Sequence, residues 1–152
     1  MGKIRNIFVC LLAGLLLFAC AKEEDTDPLT PVSVVPSISV NEVSATEIQQ
    51  FESITLHIAY RDGDADIGTE DPDVHSLKVI DSRGNIEHTF HVQPQSPVPG
   101  IAISGVLEVE ISNIILLDQN NDSEEFSFQV ILSDEAGNES NTAESPLITI
   151  SK

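Results

Sequence analysis

Ile54-Thr55-Leu56-His57-Ile58-Ala59-Tyr60 decides the fold class. Large apolar side chains recur at every second position, with polar or small residues between them. A helix would repeat its apolar positions every three or four residues, whereas successive strand residues point to opposite faces. The stretch is therefore a strand with one face against a core. Two other stretches share this period. Leu107, Val109 and Ile111 alternate with Glu108, Glu110 and Ser112, and Phe126, Phe128, Val130 and Leu132 alternate with mostly polar neighbours. Residues 38–43, 75–80, 86–92 and 147–150 are shorter strand candidates. No helical stripe exceeds two turns.

The connections carry turn chemistry. Asp81-Ser82-Arg83-Gly84-Asn85 reads as a hairpin, Asp134-Glu135-Ala136-Gly137-Asn138 precedes the last strand, and Pro94, Pro97, Pro99 and Gly100 mark a crossover loop. About seven strands in one domain of this length imply an all-β, single antiparallel β-sandwich of immunoglobulin-like type over residues 37–152. The chain has no Trp and no cysteine pair in this region, so a fibronectin III-like or cadherin-like version fits better than a true immunoglobulin domain.

The chain of 152 residues is 41% hydrophobic with a net charge of −18. Residues 1–19 contain Lys3 and Arg5 and no acid, so the remainder holds five basic against 25 acidic residues, a net charge of −20. Such a surface argues against nucleic acid as a partner, because phosphates need Lys and Arg. It also argues against electrostatic docking on anionic lipid. The cysteines, Cys10 and Cys20, leave no disulfide for the folded part.

Lys3 and Arg5 precede an apolar run over residues 7–17, too short to cross a bilayer, and Ala19 supplies a small residue before Cys20. Residues 1–19 therefore read as a signal peptide. Leu17-Phe18-Ala19-Cys20 resembles the bacterial lipobox, with Phe18 departing from the usual small residue. The resemblance implies lipidation at Cys20 and an anchor of several acyl chains. Cys20-Ala21-Lys22-Glu23-Glu24 resembles the Cys-x-Lys-(Asp/Glu)₂ export signal of Bacteroidota surface lipoproteins, which implies display of Lys22, Glu23 and Glu24 next to the anchor and an outer-membrane location facing the exterior. Residues 20–36, with Pro28, Pro31 and Pro36, read as an extended acidic tether.

The strand at 54–60 runs directly into Arg61-Asp62-Gly63-Asp64-Ala65-Asp66-Ile67-Gly68. Alternate aspartates in a turn converge oxygens, which suits Ca²⁺, a hard ion taking six to eight oxygen ligands. An EF-hand is rejected, because glycine falls at the seventh loop position and a strand leads in. If neighbouring strands alternate in direction, the connections after Tyr60, Val92 and Leu132 share one end. Asp62, Asp64 and Asp66 then meet Asp134 and Asn138, the expected calcium ligands. The competing expectation is that these residues serve turn geometry alone, their charges screened by solvent. Asp118-Gln119-Asn120-Asn121-Asp122 falls at the opposite end and reads as a plain loop. The run from Asp62 to Gly68, with Asp134-x-Ala136-x-Asn138-x-Ser140-Asn141-Thr142, resembles a group of small Bacteroidota lipoproteins over residues 54–143. That resemblance implies fold and location and no activity.

Enzyme chemistry is not expected. None of His57, His75, His88 and His91 sits beside a Ser or Cys nucleophile in a strained turn of the Gly-x-Ser-x-Gly kind, Ser104-Gly105 is a strand entry, and Glu124-Glu125 point to opposite faces. The expected function is a non-catalytic outer-membrane surface lipoprotein, a binding or structural module accessory to a larger cell-envelope assembly and stabilised by calcium. The alternative is a carbohydrate-binding accessory of a glycan uptake system, which the absence of Trp and the single Tyr weaken. The partner is accordingly a protein or a glycan. The first strand enters at the acidic end, so the opposite end, with residues 81–85 and 117–123, is the expected outward display.

Overall fold

The structure is a computed structural model that describes residues 31–152. The signal segment 1–19, Cys20, Lys22, Glu23 and Glu24 lie outside the described residues, as does the tether up to residue 30. The described chain is all-β: ten strands and no helix. They are β1 (Ser37–Val43), β2 (Glu47–Gln49), β3 (Ile54–Asp62), β4 (Leu77–Asp81), β5 (Ile86–Phe90), β6 (Ile103–Ile111), β7 (Ser123–Phe126), β8 (Phe128–Leu132), β9 (Ala143–Glu144) and β10 (Ile148–Ser151).

Three sheets share one core. Their strand orders are β1-β3-β6, β2-β10-β7 and β5-β4-β8-β9. All pairings are antiparallel except β2 with β10. The alternating stretch forms most of β3, at the centre of the first sheet. Ile54, Leu56 and Ile58 are completely buried there, and Thr55, His57 and Ala59 are only partly covered. Leu77, Val79, Val130, Leu132, Ile148 and Ile150 complete the core from the other two sheets. Removing a side chain of this kind, as in Leu56→Ala, costs about 2–5 kcal/mol because the cavity only partly collapses.

Three details differ from the sequence expectation. The segment Phe126 to Leu132 is two strands, because the backbone changes partners at Ser127. Before that point it pairs with β10, and after it with β4 and β9. At the switch, Ser127 N–H donates to Ser82 Oγ (3.0 Å) and Phe128 N–H donates to Ser145 Oγ (2.9 Å), so hydroxyls replace the lost ladder bonds. The second difference is β6, which starts at Ile103, so Ser104-Gly105 lies inside a strand. Third, β2 and β9 are additional short strands held by backbone pairing and one buried side chain each, Ile48 and Ala143.

Strand directions sort the loops into two ends. The connections following β3, β5 and β8 share one end. The β2–β3 turn, the β4–β5 hairpin and the β6–β7 loop share the other.

Candidate metal centre

β3 ends in Asp62, a carboxylate with no solvent exposure. Burying a charge is costly unless it is paired. Oδ2 is partly compensated: it accepts from the backbone N–H of Ala65 (2.8 Å) and of Asp66 (3.3 Å), closing a tight turn in which Ala65 takes φ of 62°. Oδ1 has no partner among the described residues. Two glycines let other segments crowd the turn. A Cβ at Gly63 would lie 2.5 Å from the Val32 carbonyl oxygen and 2.6 Å from that of Ser33, so the entering chain lies directly on it. At Gly68, with φ of 84°, a Cβ would collide with the backbone of Gln93.

The β8–β9 loop closes from the other side. Ile67 and Asp134 form an antiparallel bridge, Glu135 N–H donates to the Asp66 carbonyl (3.0 Å), and Ala136 N–H donates to Asp66 Oδ2 (3.2 Å). Asp134 is 6% exposed and is held in place by Asn138, whose backbone N–H donates to Oδ1 (2.7 Å) and whose side-chain amide donates to Oδ2 (2.8 Å). The β5–β6 crossover is tied in as well, through Thr69 N–H to Val92 O (2.9 Å) and Gln95 N–H to Ile67 O (3.0 Å).

As a result, one carboxylate oxygen from each of Asp62, Asp66 and Asp134 lies within 4.8 Å of the other two. Oxygens bound to one Ca²⁺ at roughly 2.3–2.6 Å lie at most about 5 Å apart, so the three fit around a single ion. Asp64 stands outside this triad, although its Oδ1, like Oδ1 of Asp66, is also buried without a partner among the described residues. Asn138 orients Asp134 through its amide nitrogen. None of the four aspartates takes part in a salt bridge among the described residues. Asp66 registers the cost: burial first, then the charges of Asp134 and Asp64, push its pKa up to about 6, against the smaller opposing effect of the Ala136 N–H.

The histidines are spread out. His57 Nδ1 lies 3.6 Å from Glu108 across the β3–β6 pairing, His75 Nδ1 contacts Thr89 Oγ1 at 3.0 Å, and His91 Nδ1 accompanies Val74 O at 3.0 Å. In the 118–122 loop, Asn120 N–H donates to Asp118 Oδ1 (2.9 Å), and Lys152 Nζ reaches Asp122 (2.9 Å).

One polar cluster was not anticipated from the sequence. Arg83 in the β4–β5 hairpin grips Asp81 through Nε and Nη2 (2.6 Å for the shortest contact). Its Nη1 donates to Glu124 Oε2 and to Ile115 O (each 3.0 Å), and its guanidinium lies 4.0 Å above the Phe126 ring. Burial acts to lower the Arg83 pKa, but Asp81 and then Glu124 override it and hold it above its ordinary value. The N–H groups of Asp118 and Leu117, with help from Arg83, keep Glu124 below the usual carboxylate range. The sequence signal was only Asp81-x-Arg83 in a turn; Glu124 is 41 residues away from Arg83.

No protein-family model matches this chain, and a search of curated proteins finds no match.

Proposed function

We propose that this chain is a non-catalytic, lipid-anchored outer-membrane surface protein. Its immunoglobulin-like sandwich serves as a binding or structural module, stabilised by one divalent cation, calcium by its chemistry. Cys20 carries the lipid and Lys22, Glu23 and Glu24 the export signal. Asp62, Asp66 and Asp134 hold the cation, with Asp64 adding negative charge beside them and Asn138 fixing Asp134.

The observation that carries the cation assignment is the fully buried Asp62 with its unpartnered Oδ1, set beside two further carboxylates within 4.8 Å. Turn geometry accounts for Oδ2 and leaves Oδ1 without a role. A hard divalent ion neutralises the cluster and supplies the missing partner. Because the same loop bonds to the crossover and to the β8–β9 loop and lies against residues 32–33, the ion stiffens the end at which the chain enters the domain.

The test is thermal unfolding of chelator-treated protein with and without millimolar Ca²⁺. Binding to the folded state alone stabilises by RT ln(1 + [L]/Kd), about 2.7 kcal/mol at a hundredfold excess over Kd. A clear rise in Tm is expected. An unchanged Tm at 10 mM Ca²⁺ removes the cation from the proposal.

A further inference from the structure

Phe51 breaks two local rules at once. It occupies the β2–β3 turn with φ of 70°, a left-handed conformation that favours glycine or asparagine, and it leaves 70% of its surface in water. The conformation is held by Phe51 N–H donating to Ile114 O (2.7 Å) and Ile114 N–H donating to Glu52 O (3.1 Å). The left-handed backbone costs stability, and the exposed phenyl ring offsets little of that cost within the domain. Residues held in such conformations cluster at functional sites.

Phe51 is not isolated. Its partner Ile114 leads into Ile115 and Leu117, exposed by 41% and 43%, while Ile86 from the neighbouring hairpin is 41% exposed. Ile86 and Leu117 both approach within 3.5 Å of where a Cβ on Gly84 would stand, so both side chains border Gly84. Arg83 Nη1 bonds to the Ile115 carbonyl from the same hairpin. Four large, exposed apolar side chains thus lie in the turns and loops at the end of the domain opposite the acidic cluster. Exposed Glu52, Glu87 and Asp118 each adjoin one of them in sequence. The two cationic side chains among the described residues at this end are already engaged, Arg83 by Asp81 and Glu124 and Lys152 by Asp122.

We infer that this end face, centred on Phe51, is a docking surface for another protein that offers an apolar depression rimmed by Lys and Arg. Charge complementarity selects that occupant: an acidic rim with no free cation repels anionic lipid and a second copy of itself, and attracts a basic rim. Phe51 enters the depression as the anchor, with Leu117, Ile115 and Ile86 sealing its margin, in the manner of a central aromatic hot spot. The inference rests on the binding-module function and not on the cation, so loss of the calcium response leaves it standing.

The experiment places the photo-crosslinker benzoylphenylalanine at Phe51 of the full chain on intact cells, and at exposed Val98 of the β5–β6 crossover as control. The expected result is a protein adduct from position 51 alone, of a mass different from a dimer. That protein, once purified, must bind the full chain at least tenfold more weakly when Phe51→Asp or Leu117→Asp is present, and more weakly at 0.5 M NaCl. Both variants should keep the Tm and the calcium response of the parent. No adduct, equal adducts from both positions, a homodimer, a lipid or glycan adduct, or binding indifferent to both substitutions and to salt overturns the inference.

Discussion

Replacing Arg83 by methionine removes the charge that lets Asp81 be buried, while keeping much of the side-chain volume. Asp81 is 3% exposed, and three of its carboxylate contacts come from the guanidinium of Arg83. Only the backbone N–H of residue 83 would remain, at 2.9 Å. Breaking a buried pair from one side costs about 3–5 kcal/mol, because the other charge is stranded. Loss of the cation–π contact with Phe126 adds about 1 kcal/mol. Against a total stability of about 5–15 kcal/mol, Arg83→Met is therefore expected to remove a third or more of the folding free energy. In urea, with a slope of about 1–3 kcal/mol per molar, the midpoint should fall by about 2 M. The decisive comparison is the double variant Asp81→Leu with Arg83→Met, which strands no charge at position 81. It should recover about 2–3 kcal/mol relative to the sum of the single substitutions. A loss below about 1 kcal/mol in Arg83→Met, or strict additivity in the double variant, would refute the idea that Arg83 compensates a buried acid.

Stability should depend on pH in opposite senses in two ranges. Asp66 has a folded pKa of about 6, above its unfolded value, so the cation-free protein gains stability as pH falls from 7 toward 5, and Ca²⁺ should abolish that gain. Glu124 is held low, so its stabilisation is present above its unfolded pKa and is lost as pH falls further; Tm measured from pH 7 to 3 should rise and then drop. Phe51→Gly should raise stability by about 1 kcal/mol, because glycine accepts the left-handed conformation and little buried surface is lost. A lower Tm would show that the ring supports the fold. Cys20→Ala should move the protein from the membrane fraction to the soluble fraction, and retention in membranes would contradict lipid anchoring.

Much of the strand layout was legible because burial imposes the two-residue period directly, as in Ile54, Leu56, Ile58 and Tyr60. The break at Ser127 was not, since Phe126 and Phe128 continue the alternation on either side of it. What changes there is the backbone partner, and hydrogen-bond partners leave no periodic trace. β2 and β9 were hidden for a similar reason: with one buried side chain each, they have no period to read. In the acidic cluster, strand direction alone placed the loop after β3 beside the loop after β8. Choosing among the aspartates needed the turn itself. The left-handed Ala65 brings Asp66 round beside Asp62 while Asp64 stands outside the triad, and Asn138 proves to be a hydrogen-bond donor to Asp134. Arg83 and Phe51 were illegible on different grounds. Arg83 depends on Glu124 across a long sequence separation, and the significance of Phe51 lies in a backbone angle that residue type would argue against.

Whether Asp62, Asp66 and Asp134 hold a divalent ion is measured by calorimetric titration of Ca²⁺ into chelator-treated protein, alongside Asp66→Asn. The expected result is one ion per chain in the parent. Asp66→Asn should show no measurable binding together with a cation-free Tm above that of the parent, because the substitution relieves like-charge repulsion while deleting a ligand. An absence of heat in the parent, or undiminished binding in Asp66→Asn, would contradict the cation site.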